Sequence, residues 1–266
     1  MDKPLITVIT VCYNAAETIE QTILSVISQT YTNIEYIIVD GASTDGTIEI
    51  IEKYRDKLSN FVSGRDKGIY DAMNKAIDLS HGKWINFMNS GDTFVDTKVI
   101  ENVFANNIAE DTKIIYGDVV RYFPNQKTVI QRFNNLQEGS IQFDLIHQST
   151  FIEGDVMRDL KYNIKYRISA DADFFNEVYK LGGKFQYVPI AISNYESANG
   201  ASAKQLITMF NEYTEIKGTK KCSMGWLFSY KKIHIQVLMM KILPQSIYNW
   251  IIHTYVNKVA IKKTAN

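Results

Sequence analysis

The chain has 266 residues, 45% hydrophobic and 22% charged, with 14 glycines and 4 prolines, a composition that excludes disorder over most of its length and any collagen-like repeat. Lys plus Arg and Asp plus Glu number 29 each, so no overall basic excess points to nucleic acid as a partner. The balance is uneven, however: residues 1–216 hold 20 basic against 29 acidic side chains (−9), and nine lysines from Lys217 to Lys263 follow without a carboxylate (+9). Such a split predicts an acidic body, 1–216, and a basic helical extension, 217–266, with an anionic partner.

Along the chain, Leu5 to Val11 reads as a β-branched strand, followed by a helix with Ile19, Ile23, Val26 and Ile27 on one face and Asn14 with Glu17 as its capping box. Ile34 to Val39 repeats the pattern, with a polar DGASTDGT loop and a helix carrying Ile51, Tyr54 and Leu58. Asn60 to Ser63 is a third strand, and Tyr70 to Leu79 a helix ended by a left-handed cap at His81 and Gly82. Trp84 to Met88 is the fourth strand. Alternation of this kind predicts an α/β fold, a mostly parallel sheet with helices on both faces. Beyond residue 112, Lys113 to Tyr116, Val119 to Phe123 and Thr128 to Ile130 read as antiparallel additions. A helix from Asp171 to Leu181 stops at Gly182 and Gly183, and strands follow at Phe185 to Val188 and Ile190 to Asn194. Trp226, Tyr230, Ile233, Val237 and Met240 then form a helical stripe, and Ile247, Ile251, Tyr255 and Val259 a second. These helices either pack on the body or turn lysines and aromatic rings to an anionic membrane surface.

Cys12 and Cys222 make no disulfide framework, and no Cys/His cluster has zinc spacing. Cys12, at the end of a buried strand, reads as a small core residue. The N-terminal run lacks the basic start and long apolar core of a signal peptide, and Ile242 to Asn257 is too short and too interrupted to span a bilayer.

Ligands of open parallel sheets bind at the carboxyl ends of strands. Here those ends are Cys12-Tyr13-Asn14, Asp40-Gly41-Ala42, Gly64-Arg65-Asp66 and Asn89-Ser90-Gly91-Asp92, which bring three carboxylates to one rim. Acids on such a rim hydrogen-bond a ribose or base, or hold a hard divalent cation that in turn holds phosphate. Neither GxGxxG nor GxxxxGK[ST] occurs, which argues against NAD-type and P-loop sites.

The ordered series TVITVCYNAAETIEQTILSVISQTY, IIVDGASTDGT, SGRDKGIYDAMNKAI and GKWINFMNSGD resembles the family 2 glycosyltransferases of GT-A fold, over roughly residues 4 to 202 and nearest to bacterial enzymes of surface-polysaccharide assembly. The resemblance implies a nucleotide-sugar donor, here a UDP-sugar, with Tyr13, Asn14, Asp40, Asp66, Lys67, Gly68, Asn74, Asn89, Gly91 and Asp92 around it. It implies Asp40 on the nucleobase, Asp66 near base and ribose, and Asp92 as ligand of Mn²⁺ or Mg²⁺ at the diphosphate. The family often carries two or three acids in that metal motif; here Asp92 is alone. HQSTF and ISADADFF match the acceptor side, with Asp171 as catalytic base, Asp173 second, and His147, Gln148 and Gly200 lining the acceptor. Inversion at the anomeric carbon, a glycan or polyprenyl-linked acceptor of O-antigen or capsule type, and a cytoplasmic position at the inner membrane face are further implications.

Each residue also has a plainer reading. Asp40 and Asp45 suit a turn and a helix cap, Asp66 a solvated charge cluster, and Asp171 an N-cap. His147 either orders the acceptor site or satisfies a loop. Two functions stay open at this point: an inverting transferase, and a sugar-nucleotide-binding module without turnover docked in an assembly complex.

Overall fold

A computed structural model describes residues 3–122, 128–131, 145–196, 205–221, 223–244 and Ile247. Among them nine strands form one mixed sheet. In chain order these are β1 (Ile6–Cys12), β2 (Ile34–Asp40), β3 (Asn60–Ser63), β4 (Trp84–Phe87), β5 (Thr93–Phe94), β6 (Thr112–Tyr122), β7 (Thr128–Gln131), β8 (Thr150–Glu153) and β9 (Lys184–Glu196). They lie in the order β3-β2-β1-β4-β8-β6-β9-β5, with β7 added to β6. The helices are α1 (Ile19–Ile27), α2 (Thr47–Glu52), α3 (Ile69–Asp78), α4 (Val99–Phe104), α5 (Gly154–Leu160), α6 (Ala170–Lys180), α7 (Leu206–Ile216) and α8 (Met224–Ile242).

Period-two patterning splits the buried strand residues between two cores. Ile9, Val11, Ile37, Val39, Ile85 and Phe87 face α3, α5 and α6. Val8, Cys12, Tyr36 and Ile38 face α1, α2 and α4. Helices on both faces are the consequence. β1 pairs in parallel with both β2 and β4, so the chain leaves β1 outward and returns on its other side, opening a switch point above the β1/β4 boundary.

Several elements depart from expectation. The first helix starts at Ile19 with Thr18 before it, and Asn14 sits in a loop at φ +47° instead of capping it. The cause is local: the amides of Ala15 and Ala16 donate to Thr47 Oγ1 and Asp45 Oδ2, which holds the segment off the helix. Gly82 is no left-handed cap, since α3 ends at Asp78; a Cβ there would run into Thr7 and come within 2.9 Å of the Trp84 carbonyl, so only glycine fits. The two strands expected within 113–123 are one bulged strand, β6, and those within 185–194 are one strand, β9. These two run parallel to each other, while β7 and β8 lie antiparallel to β6. The stripe of α8 is half-buried and its first ring, Trp226, contacts Phe210 of α7 at 5.9 Å. The second stripe, from Ile251 on, lies outside the described residues.

Candidate active site

Four loops meet at the switch point, and hydroxyl side chains lace them together. The turn after β1 is tied to the loop after β2 by Asn14 N to Ser43 Oγ (2.8 Å) and by Thr44 N to Asn14 Oδ1 (3.0 Å). It is tied to the loop after β4 by α1: Thr18 Oγ1 meets Ser90 Oγ at 3.0 Å, and Thr22 Oγ1 accepts from Gly91 N and donates to Asp92 O. Gly91 stands at φ +100°, a conformation glycine adopts without a Cβ clash, and it turns the chain into Asp92.

Asp40 is fully buried. One carboxylate oxygen accepts from Ser43 N (3.0 Å) and Ser63 Oγ (2.7 Å), and the other from Ser43 Oγ, with Cys12 Sγ at 3.6 Å. Through these bonds the side chain braces the loop after β2. Near it stand Asp66, half-buried, and the exposed ring of Tyr13. A Cβ on Gly41 would lie 2.7 Å from Asp66 Oδ2 and 3.2 Å from Tyr13 Cδ2, so glycine lets both approach the turn. Asp66 Oδ1 accepts from the amide of Gly68, which heads α3 at φ +127°, and Lys67 is exposed next to it. The Asn74 amide exchanges two hydrogen bonds with the backbone of Tyr162 (2.8 and 2.9 Å), which pins α3 to the segment after α5.

On the other side of the crevice, a short 3₁₀ turn, His147–Ser149, carries the imidazole that joins the two halves. His147 Nδ1 is 3.0 Å from Asp171 Oδ2, and its Nε2 is 3.0 Å from Asn89 Nδ2. With Nδ1–H donating to the carboxylate, Nε2 is left to accept from the amide. Asp171 is the second residue of α6, not its cap. Its Oδ1 also accepts from Ala172 N (2.9 Å), while the Tyr70 hydroxyl shares its proton between Ile168 O (2.8 Å) and Asp171 Oδ1 (3.2 Å). Burial, then the charge of Asp171, pushes the Tyr70 hydroxyl well above its ordinary range, so it acts as a donor. Asp173 points away, to Asn163 Nδ2 at 3.3 Å, and burial raises its carboxyl above the ordinary value.

Asp92 is 7% exposed, and its Oδ2 accepts from Gln148 Nε2 at 2.7 Å. The amide oxygens Asn89 Oδ1 and Gln148 Oε1 are buried without a hydrogen-bond donor. Buried acceptors left open beside a carboxylate are a sign of a ligand. Cys12 is buried and its thiol is pushed far up by burial and then by the charge of Asp40, which removes it as a nucleophile. Gly200 lies outside the described residues.

The sequence profile of glycosyl transferase family 2 matches residues 7–179. The chain belongs to that family. A PGL/p-HBAD biosynthesis glycosyltransferase of Mycobacterium bovis is 28% identical over 217 residues, 76% of this chain and 80% of the relative. A UDP-Glc:alpha-D-GlcNAc-diphosphoundecaprenol beta-1,3-glucosyltransferase of Escherichia coli, WfaP, is 39% identical over 114 residues, 42% of this chain and 44% of the relative. In fold, TarS of S. aureus with UDP-GlcNAc has a TM-score of 0.67 at 16% identity, covering 88% of this chain and 71% of TarS. A mannosyltransferase of Pyrobaculum calidifontis with GDP-Man and Mn²⁺ has a TM-score of 0.66 at 14% identity, covering 99% and 83%. The fold is therefore GT-A, and the chain is a family 2 glycosyltransferase of the bacterial surface-polysaccharide type.

Nucleotide sugars are the donors of such enzymes, and a divalent cation accompanies one of the fold neighbours. Among the described residues no group of three or more His, Cys, Asp or Glu side chains could hold a metal ion unaided. The donor set does fit a family member whose cation rests mainly on phosphate: Mg²⁺ and Mn²⁺ take hard oxygen ligands, and one carboxylate plus substrate phosphates is a common arrangement for Mg²⁺. Asp92 is a carboxylate of the type such an arrangement needs, and the open Asn89 and Gln148 oxygens are of the right chemical type. Tyr70 and the hydroxyl lacing by Thr18, Thr22, Ser43 and Ser63 were not singled out by sequence reasoning. Thr18 and Thr22, four residues apart on the same side of a helix turn, are the part of that network a sequence can signal.

Proposed function

We propose that this family 2 enzyme is an inverting transferase that moves a hexosyl or N-acetylhexosaminyl residue from a UDP-sugar to a hydroxyl of a lipid-linked surface glycan. The observation that carries the reading is the His147 bridge, which ties Asn89 in the Asp92 loop to Asp171 on α6 and so couples the donor half to the acceptor half. Tyr13 and Asp66 are assigned to the uridine: an exposed ring to stack on the base and a carboxylate to accept from it. Asp40 is assigned to the loop that presents them.

Asp171 takes the proton of the acceptor hydroxyl on the lone pair of Oδ2 that His147 leaves open. The acceptor oxygen then forms its bond to the anomeric carbon, and the bond from that carbon to the diphosphate oxygen breaks with its electron pair on the leaving UDP. His147 holds the carboxylate in place through a charge-assisted bond, which weakens as the arriving proton neutralises the carboxylate. A bound Mg²⁺ or Mn²⁺, held by Asp92, would supply positive charge against the departing phosphate. Gln148 orients Asp92 through its side-chain amide, and Asn89 does the same for the imidazole of His147.

The acceptor is proposed to ride on a membrane. Support comes from α8, which exposes Met224 (83%), Phe228 (76%) and Ile242 (69%) together with Lys231, Lys232 and Lys241. No helix among the described residues is long and apolar enough to cross a membrane, so surface docking on anionic lipid at the inner face is the proposed mode. WfaP, named for a diphosphoundecaprenol acceptor, suggests the probe. The test is UDP release from UDP-glucose and from UDP-GlcNAc with α-GlcNAc-diphosphoundecaprenol in phosphatidylglycerol vesicles. Acceptor-dependent release lost in Asp171→Asn supports the reading. Release by neither donor, with UDP binding intact, would move the assignment to a binding module without turnover.

A further inference from the structure

We infer that Glu212, on α7 and beyond the family-matched segment, is a positioning residue for Asp171, so that the C-terminal helices complete the acceptor half of the active site. The α6 helix lacks a side-chain cap. Ser169 stands at the N-cap of α6, yet its side chain makes no capping hydrogen bond and its Oγ is buried without a partner. A helix start normally needs such a bond, because its first amides have no intrahelical acceptor.

What holds the entry to the helix is Glu212, on another helix, which takes the three amides that lead into it. One Glu212 oxygen accepts from Arg167 N at 2.7 Å, and the other from Ile168 N at 3.0 Å and Ser169 N at 2.9 Å. Three successive amides converging on one carboxylate fix the backbone of the turn, since moving any one of them breaks a charge-assisted bond. The same turn is gripped from the opposite side, where Tyr70 donates to the Ile168 carbonyl and to Asp171. Asp171 follows two residues after the clamped amides, and its Oδ2 must stay 3.0 Å from His147 Nδ1 for the two halves of the site to remain joined. Displacing the turn displaces the carboxylate.

Among the described residues, the hydrogen bonds that Glu212 accepts come from the amides of residues 167–169. Its loss is therefore expected to slow transfer while sparing donor binding. The α7 helix in turn packs against α8, where Phe210 lies 5.9 Å from Trp226 and 6.1 Å from Tyr230. The Glu212 carboxylate thus links the helix that α8 packs on to the turn before Asp171.

This inference rests on Asp171 being the base, and the test separates the two. Transfer is assayed as above on the full chain for wild type, Glu212→Ala, Glu212→Asp, Glu212→Gln, Glu215→Gln and Asp171→Asn, with UDP affinity measured alongside. Expected results are a 10- to 100-fold lower kcat for Glu212→Ala and Glu212→Asp, with KM for the UDP-sugar and UDP affinity within twofold of wild type. Glu212→Gln keeps one acceptor oxygen for Ile168 and Ser169 and is expected to recover most of the lost rate. Glu215→Gln removes an exposed ion pair with Lys165 at the same seam and is expected to stay within twofold. The inference is overturned by an unchanged kcat in Glu212→Ala, by an equal loss in Glu215→Gln, or by loss of UDP binding together with kcat. If Glu212→Ala keeps its rate while Asp171→Asn loses it, this inference alone fails. If Asp171→Asn keeps its rate, the base assignment fails and the role of Glu212 falls with it.

Discussion

His147 Nδ1 lies 3.0 Å from Asp171 Oδ2, and through this pair a loop that precedes β8 fixes the carboxylate at the start of α6. Both side chains are nearly covered, 12% and 19% exposed, so the pair has little competition from water. Asp171→Asn keeps the shape, but the group facing Nδ1–H becomes a poorer acceptor, and no carboxylate is left to take a proton. The expected outcome is a kcat lower by about 10²- to 10⁴-fold, the usual contribution of a general base, with UDP affinity unchanged. His147→Gln retains a hydrogen-bond donor and is expected to lose less, about tenfold. Steady-state kinetics with saturating donor decide the point, and equal activity in Asp171→Asn would refute it.

The nucleotide side has its own test in Gly41. An added Cβ would press on Asp66 Oδ2 and Tyr13 Cδ2, so Gly41→Ala should displace the two side chains assigned to the uridine. A loss of about tenfold in UDP affinity, roughly 1.4 kcal/mol, is the expected result by calorimetry. Tyr13→Ala should give a comparable loss, because stacking on an exposed ring is worth about 1–3 kcal/mol per base. Asp40→Asn is expected to act differently. It disturbs a fully buried carboxylate with serine donors, so melting temperature should fall along with UDP affinity.

These contrasts mark how far a sequence can be read here. The alternating strands and helices up to Met88 were legible because each apolar run is bounded by turn residues and faces two cores. The rim acids were legible from the rule that ligands sit at strand ends. Which of them is buried in its own loop was not, because Asp40 and Asp66 differ by hydrogen bonds from Ser43, Ser63 and Gly68 that only folding brings together. In the same way Asp171 and Asp173, two apart on a helix, turn to different sides, one to His147 and one to Asn163. The parallel β6–β9 pair was hidden for a further reason: bulges near Asp118 interrupt the period of two and made one strand look like two.

A metal prediction follows from Asp92 as the one carboxylate of its loop. With so few protein ligands, the cation should bind weakly alone and strongly with the diphosphate. Mn²⁺ alone is expected to leave the melting temperature almost unchanged, UDP with Mn²⁺ to raise it by several degrees, and EDTA to cancel most of that rise. Asp92→Asn should abolish the Mn²⁺-dependent part and leave the remainder. A UDP shift indifferent to EDTA would show that the diphosphate is held without a cation.

Asp173 supplies a pH prediction whose sign is fixed by its environment. Burial, reinforced by Glu177, raises its carboxyl above the ordinary value despite the hydrogen bond from Asn163. A carboxyl raised on folding favours the native state at pH below its unfolded pKa of about 3.9, and that contribution is lost as pH rises through the higher native value. At pH 7 the ionised side chain is therefore a small liability, which Asp173→Asn removes while preserving the hydrogen bond to Asn163. Relative to wild type, the melting temperature of Asp173→Asn should improve between pH 4 and pH 7, and its transfer rate should stay within about twofold, since the side chain faces away from His147. Asn74→Ala is the useful opposite: it breaks two hydrogen bonds to Tyr162 and is expected to cost about 1–3 kcal/mol in urea unfolding with UDP affinity retained. A fall in UDP affinity without loss of stability would instead return Asn74 to the donor site.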